Sequence, residues 1–125
     1  MRQLKFRVYD TLDKRYIKCD EGYQGHYVLS LKGEFHNLLN GSGGKECIVQ
    51  QYTSLKDKNG VDIYEGDIVK ATSDQYVNEN FVGKVIFDEG CFLTWINKND
   101  IRGIWGEDDI EVIGNIFETP KLLEA

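Results

Sequence analysis

Short stretches of alternating apolar and polar residues, separated by tight turns, set the pattern of this chain. Leu4 to Tyr9 places Leu4, Phe6 and Val8 on one face and Lys5, Arg7 and Tyr9 on the other, the period of a half-buried strand. Asp10-Thr11-Leu12-Asp13-Lys14 then turns the chain, and Tyr16-Ile17-Lys18-Cys19 returns as a hairpin partner. Tyr27 to Leu31 reads as a strand. Phe35, Leu38 and Leu39 fall at i, i+3 and i+4, which predicts one or two helical turns over Glu34 to Leu39. Asn40-Gly41-Ser42-Gly43-Gly44 ends that segment as a flexible loop and is the best internal boundary. Lys45 to Tyr52 is the next strand.

The stretch from Gln50 to Lys70 organises the rest of the chain. It holds a strand end, a tight turn at Lys58-Asn59-Gly60, a bend at Glu65-Gly66-Asp67 and a new strand from Ile68 to Ala71. Asn59 and the two glycines tolerate positive φ, and the Asp67 carboxylate is placed to bond nearby backbone. After a polar excursion from Thr72 to Asn80, strands are predicted at Val82 to Phe87, Cys91 to Ile96, Ile101 to Trp105 and Ile110 to Ile116. Asp88-Glu89-Gly90 between two apolar-aromatic runs is a short-hairpin signal. In the last strand Ile110, Val112 and Gly114 face one way. Thr119-Pro120 provides a cap and a first-position proline for a short helix over Lys121 to Glu124. The expected fold is mainly β, a β-rich α+β chain. An N-terminal hairpin region with a variable segment (residues 1–46) precedes a small, partly closed C-terminal β-barrel of SH3-like or similar type (residues 47–125), the two packing separately or as one domain. Closure of the barrel would hide sheet edges.

Composition sharpens this picture. With 125 residues, 41% apolar and 29% charged, the chain can bury a core without disulfide staples. Seven Tyr, six Phe and two Trp favour strands, and one Pro with thirteen Gly argues against disordered or collagen-like composition. The net charge of −6 is uneven: residues 1–60 hold ten Lys and Arg against seven Asp and Glu, whereas residues 61–125 hold five against fourteen. Such an imbalance favours head-to-tail association between copies, or reflects solvated faces. Three widely spaced cysteines, Cys19, Cys47 and Cys91, fit buried small hydrophobes in a reducing compartment better than a disulfide framework. No apolar run reaches the roughly 18 residues of a membrane span, and the N-terminal segment lacks the apolar core of a signal peptide. A cytoplasmic location without membrane association is expected.

Candidate chemistry is sparse. Asp57-Lys58-Asn59-Gly60 invites a calcium-loop reading, but Gly60 would stand at position four instead of six, with Ile68 at the place of the bidentate Glu. Gly41 to Glu46 lacks a phosphate loop's spacing, since Leu39 takes the place of the first glycine and Glu46 that of the Ser or Thr. His26 and His36 lie ten residues apart with no cysteine at zinc-finger spacing from another. Cys91, between Gly90 and Phe92, is expected to be buried rather than half of a Cys-His nucleophilic pair. Glu107-Asp108-Asp109 with Asp100 would suit a hard cation, although carboxylates crowded at a strand start are more often simply solvated. Neither a cofactor nor a metal is expected. Lys5, Arg7, Arg15 and Lys18 would cluster on the first hairpin as a patch for nucleic acid, against the simpler reading of a solvated face. Phe81, Phe92, Trp95, Trp105, Tyr76 and Phe117 are expected to serve a core or a subunit interface.

Three blocks of sequence, KFRVYDTLDKRYI, QYTSLKDKNGVDIYEGDIVK and EVIGNIFETPKLLE, resemble the YopX family of phage and prophage proteins, in the family's order and across nearly the whole chain. Val8-Tyr9 stands where that family commonly has Ala-Trp, Ser54 stands where it has Gly, and residues 20–46 match none of its motifs. A glycine at position 54 would permit a backbone that Ser54 must adopt with strain or avoid. The resemblance implies a small phage-related protein that acts inside a bacterial cell and assembles into a homo-oligomer, and it carries over no catalytic residue. Tyr52, Lys56, Asp57, Gly60, Tyr64, Gly66, Asp67, Gly114 and Asn115 match the family's motifs and, with Asn59, are expected to set turns and packing. The leading expectation is therefore a non-enzymatic accessory protein that binds itself and a host or phage macromolecule. A nucleic-acid-binding small barrel is the alternative, and an acid-base or metal-assisted enzyme using Asp57, Asp67 or Glu107 to Asp109 comes last.

Overall fold

A computed structural model describes residues 4–17, 27–37, 46–72, 80–103 and 110–123. The glycine-rich loop at 40–44, most of the 72–80 excursion, Lys18, Cys19, His26, Tyr76, Trp105 and the Glu107 to Asp109 cluster lie outside the described residues. The chain forms two units, Lys5–Gln51, and Tyr52–Ala125 with Met1–Leu4.

In the first unit, β1 (Phe6–Asp10) pairs antiparallel with β2 (Arg15–Tyr16), Tyr9 opposite Tyr16. Its other edge pairs with the first half of β5 (Cys47–Lys56), Val8 opposite Val49. The β1–β2 turn is built by Asp10, whose Oδ1 accepts the backbone N–H of Leu12 at 2.9 Å and of Asp13 at 3.2 Å. Thr11 anchors it, donating both its N–H and its hydroxyl to the Glu46 carbonyl at 2.8 Å. The expected burial of one face does not hold along β1. Leu4 and Phe6 are exposed while both Val8 and Tyr9 are buried, because Tyr9 packs edge-on against Tyr16, ring centres 5.1 Å apart.

The predicted helical turns after Glu34 are a strand where they are described. β3 (Tyr27–Leu29) and β4 (Phe35–Asn37) form a hairpin, with Leu29 opposite Phe35. Its turn closes through Ser30 N–H on the Glu34 carbonyl at 2.9 Å, while the Ser30 Oγ accepts from Lys32 and Glu34. Pairing of Phe35 with Leu29 in the hairpin thus prevails over a three-residue helical spacing, and Phe35 is buried.

The second unit begins with the other half of β5. Beyond it come β6 (Asp62–Tyr64), β7 (Asp67–Thr72), β8 (Asn80–Asp88), β9 (Cys91–Asn97), β10 (Asp100–Gly103) and β11 (Ile110–Asn115). The last five form one antiparallel sheet in the order β10-β9-β8-β7-β11, curled into a half-barrel. These are the five strands predicted after residue 62, and the mainly β expectation holds. β6 is an addition to them. It pairs with β5 through Tyr52–Tyr64 and Lys56–Asp62 with a register shift between them. Its Ile63 joins Val69, Ala71, Phe81, Val85 and Ile110 in the core, against which Leu55, Ile96 and Val112 pack. Each fully buried Val, Ile or Phe among them contributes about 1.5–3 kcal/mol, and Ala71 less.

Glu89 (φ 50°) and Gly90 (φ 82°) connect β8 to β9 by a two-residue turn closing on the Asp88–Cys91 pair. β11 departs from strict alternation: its register slips between Val112 and Gly114, leaving Ile113 unopposed. The predicted last helix is one 3-10 turn, Pro120–Leu123, with the Leu122 N–H on the Thr119 carbonyl at 3.1 Å.

Candidate functional site

The densest polar chemistry lies where the sequence concentrates it, between Lys56 and Asp67, and its groups are committed to turns. Asp57, 2% exposed, accepts from Asn59 N–H (2.8 Å) and Val61 N–H (2.9 Å) on Oδ1, and from Val112 N–H (2.9 Å) on Oδ2. Its own backbone N–H donates to the Val61 carbonyl at 2.8 Å, and Lys58 N–H donates to the Ile110 carbonyl at 2.9 Å. One carboxylate therefore closes the Lys58-Asn59-Gly60 turn and fastens β11, fifty-five residues further along the chain, to it. Burial pushes the Asp57 carboxyl up. The N–H groups of Val112, Val61 and Asn59, with the Lys58 charge, outweigh it and hold the group below the ordinary aspartate value. At neutral pH it is thus an anion serving as a backbone clamp.

Asp67, also 2% exposed, accepts the Tyr64 N–H on Oδ2 at 2.8 Å and closes the second bend. Between them Gly66 adopts φ 86°, donates its N–H to the Val85 carbonyl at 2.8 Å and accepts the Ile116 N–H at 2.9 Å. That bend thus joins β8 to the end of β11 through one backbone position. Tyr52 and Tyr64, opposite each other on β5 and β6, pack with ring centres 5.5 Å apart and planes tilted by 43°, and Lys56 reaches Asp62 at 2.8 Å. Ser54 sits within the β5 register shift at φ 74°, the left-handed backbone. The strain posed by a serine at this position is real. Its neighbour Thr53, absent from the sequence-based candidates, donates its hydroxyl to the Ile63 carbonyl at 2.7 Å.

The C-terminal signature obeys the same logic. The Asn115 Oδ1 accepts from Phe117 N–H (3.1 Å) and Glu118 N–H (2.8 Å), and its Nδ2 donates to Glu118 Oε1 at 2.8 Å. Thr119 closes back on Asn115 through both backbone and hydroxyl. A Cβ on Gly114 would collide with Thr119 Oγ1 and come 2.8 Å from Leu122 Cδ1. Glycine is required there by close approach, which no turn statistic in the sequence reveals.

Of the proposed basic patch, Lys5, Arg7 and Arg15 are described. Arg7 donates its Nε to Gln50 Oε1 at 2.8 Å and lies 4.7 Å over the Tyr16 ring, whose hydroxyl donates to the same oxygen at 2.9 Å. Arg15 is exposed, 3.9 Å from Asp13. Gln50, 3% exposed, is the organising residue, and no signal in the sequence marks it.

The cysteine expectation is corrected. Cys91 is exposed, because it pairs with Asp88 at the hairpin tip, its Sγ 3.5 Å from the Asp88 carbonyl. Cys47 is half-buried, and burial, then the charges of Asp10 and Glu46, push its thiol pKa up, so the nucleophilic thiolate is disfavoured. In the aromatic set, Phe81 is in the core with Arg102 4.6 Å from its ring centre. Half-buried Trp95 carries Lys84 at 4.7 Å. Among the described residues no group of three His, Cys, Asp or Glu is arranged to hold a metal, and no helix is long and apolar enough to cross a membrane.

These turns coincide with a known signature. The family model described as YopX protein matches residues 5–124, the 20–46 stretch included. The chain belongs to the YopX family. Among solved structures it is similar to protein yopX from Bacillus subtilis, with a TM-score of 0.65 and 25% identity over 100% of this chain and 98% of that one. It is also similar to protein EF1440 from Enterococcus faecalis, with a TM-score of 0.63 and 26% identity over 98% and 99%. No curated protein matches. In YopX terms, the LKDKNG and IYEGDIV motifs are the two carboxylate-closed turns of the second unit, and the IGN of the tail is the seat of its terminal turn.

Proposed function

We propose that this YopX protein is a non-enzymatic phage or prophage accessory protein that self-associates and presents a binding surface to a host or phage macromolecule in the bacterial cytoplasm. The observation that carries this reading is the fate of Asp57. Both oxygens of this buried carboxylate accept backbone N–H groups, so the best candidate for acid-base work in the signature instead holds the fold together. The bacterial sources of the two similar structures, Bacillus subtilis and Enterococcus faecalis, support the setting. The uneven charge of the two halves supports self-association. Light scattering on the purified chain tests it: a mass above the monomer is expected, and a strict monomer at high concentration overturns the self-association.

The alternative is a nucleic-acid-binding protein using Lys5, Arg7, Arg15 and Lys18. It has in its favour the placement of Lys5, Arg7 and Arg15 on or beside β1 and β2. The engagement of Arg7 by Gln50 and Tyr16 weighs against it. It predicts a gel retardation that falls steeply with salt, and no shift at low salt removes it.

A further inference from the structure

The Lys58-Asn59-Gly60 turn contains the groups of a spontaneous backbone reaction, and Asp57 holds them apart. Asn59 and Gly60 are both exposed, and nothing lies within 4 Å of where a Cβ on Gly60 would stand. A glycine after asparagine leaves its own backbone nitrogen unscreened beside the asparagine side-chain carbonyl, because it has no side chain to stand in the way. In the folded turn that nitrogen is engaged: Gly60 N–H donates to the Asp57 carbonyl at 3.0 Å. On either side, Asn59 N–H and Val61 N–H are held by Asp57 Oδ1 at 2.8 and 2.9 Å. Asp57 thus fixes the backbone donors of residues 59–61 and keeps Gly60 N from turning towards Asn59 Cγ.

We infer that Asn59 is a site of spontaneous deamidation that the Asp57 clamp holds shut, and that its isoaspartyl product unties β11 from the turn. When the turn opens locally, Gly60 N gives its proton to solvent and attacks Asn59 Cγ. The N–Cγ bond forms, the Cγ–NH2 bond breaks, and the amide nitrogen takes a proton from water and leaves as ammonia. Water then opens the succinimide ring, at Cγ to give the aspartyl form or at the Asn59 backbone carbonyl to give the isoaspartyl form. The isoaspartyl main chain runs through Cβ and Cγ and is longer by a methylene, so the closure between Asp57 and Val61 no longer fits. With that closure goes the placement from which Asp57 Oδ2 holds Val112 N–H and Lys58 N–H reaches the Ile110 carbonyl.

The test incubates the full chain in mildly alkaline buffer, native and in denaturing urea, and compares tryptic peptide 59–70 with synthetic aspartyl and isoaspartyl standards. The sequence's other Asn-Gly pair, Asn40-Gly41, falls on a separate peptide. Deamidation of Asn59 is expected to be about tenfold or more slower in the native protein than in the unfolded one. Asp57→Ala, checked for folding by circular dichroism, should lose most of that protection. Val85→Ala truncates the core, leaves the turn's bonds in place and should keep it. In sub-denaturing urea the wild-type rate should stay flat, since a local opening exposes little surface, and this arm decides even where Asp57→Ala fails to fold. Equal native and unfolded rates, or no deamidation in either condition, overturn the site. A wild-type rate that climbs in step with global unfolding, or Val85→Ala deamidating as fast as Asp57→Ala, overturns the clamp. The isoaspartyl form, separated from aged protein, should unfold at lower urea than the wild type, and an unchanged midpoint overturns the untying of β11.

Discussion

At the residue scale Asp57 carries the most weight. Three N–H donors hold its carboxylate as an anion, so its folded pKa lies below its unfolded one. Its contribution is full above the unfolded aspartate value of about 3.9 and is lost as pH falls through the folded pKa. Asp57→Asn removes the charge and sets an NH2 against one of the three N–H groups. Chemical denaturation at neutral pH should show a loss of about 2–3 kcal/mol, with the stability gap to wild type narrowing at acid pH. An unchanged midpoint would show that the clamp contributes nothing. Ser54 poses the opposite case. A left-handed serine costs about 1–2 kcal/mol, part of which glycine gives back as unfolded-state freedom, so Ser54→Gly should raise stability by about 0.5–1 kcal/mol. A lowered melting temperature would contradict that. The Ser54 strain is legible in the sequence as a departure from a glycine pattern. Gln50 and Thr53 are not, because their roles depend on partners brought close only by strand pairing. Burial of Cys91 is a misleading expectation because apolar neighbours in sequence do not reveal which side of a hairpin tip a residue takes.

At the scale of elements, turn chemistry is the reliable guide. Asp88-Glu89-Gly90, Lys58-Asn59-Gly60 and Glu65-Gly66-Asp67 all turn where their residue types require, and the five strands between and beyond them form one sheet. Elements too short to show a period escape it: β6 has three residues and β4 three, the latter concealed by a helical spacing. The bulge at Ile113 is likewise invisible to alternation counted along one strand. Gly66 tests the turn account. Its φ of 86° is left-handed, its backbone bonds both β8 and the end of β11, and it is buried. A β-branched side chain there should cost about 2 kcal/mol or more. Gly66→Val is therefore expected to lose folding or assembly before any separable binding activity, read by circular dichroism beside a mass measurement. A stable, normally assembled variant would show that this bend tolerates what the geometry says it cannot.

At the scale of the molecule, the signature explains how the chain folds, and the proposed function is assigned to surfaces the signature does not occupy. Its buried carboxylates close turns, its glycines permit close approach, and its asparagine shapes the terminal turn. Such a scaffold can display any number of surfaces, which is why family membership is legible in the sequence and the partner is not. The two halves of the sequence carry net charge of opposite sign, and attraction between exposed charges is sensitive to salt. The screening length falls from about 10 Å at 0.1 M ionic strength to about 3 Å at 1 M. Scattering mass at fixed protein concentration across that range is the direct measurement. Association between the oppositely charged halves predicts a mass above the monomer at low salt that declines as salt rises. A monomer throughout would contradict the account, and so would a multimer indifferent to salt.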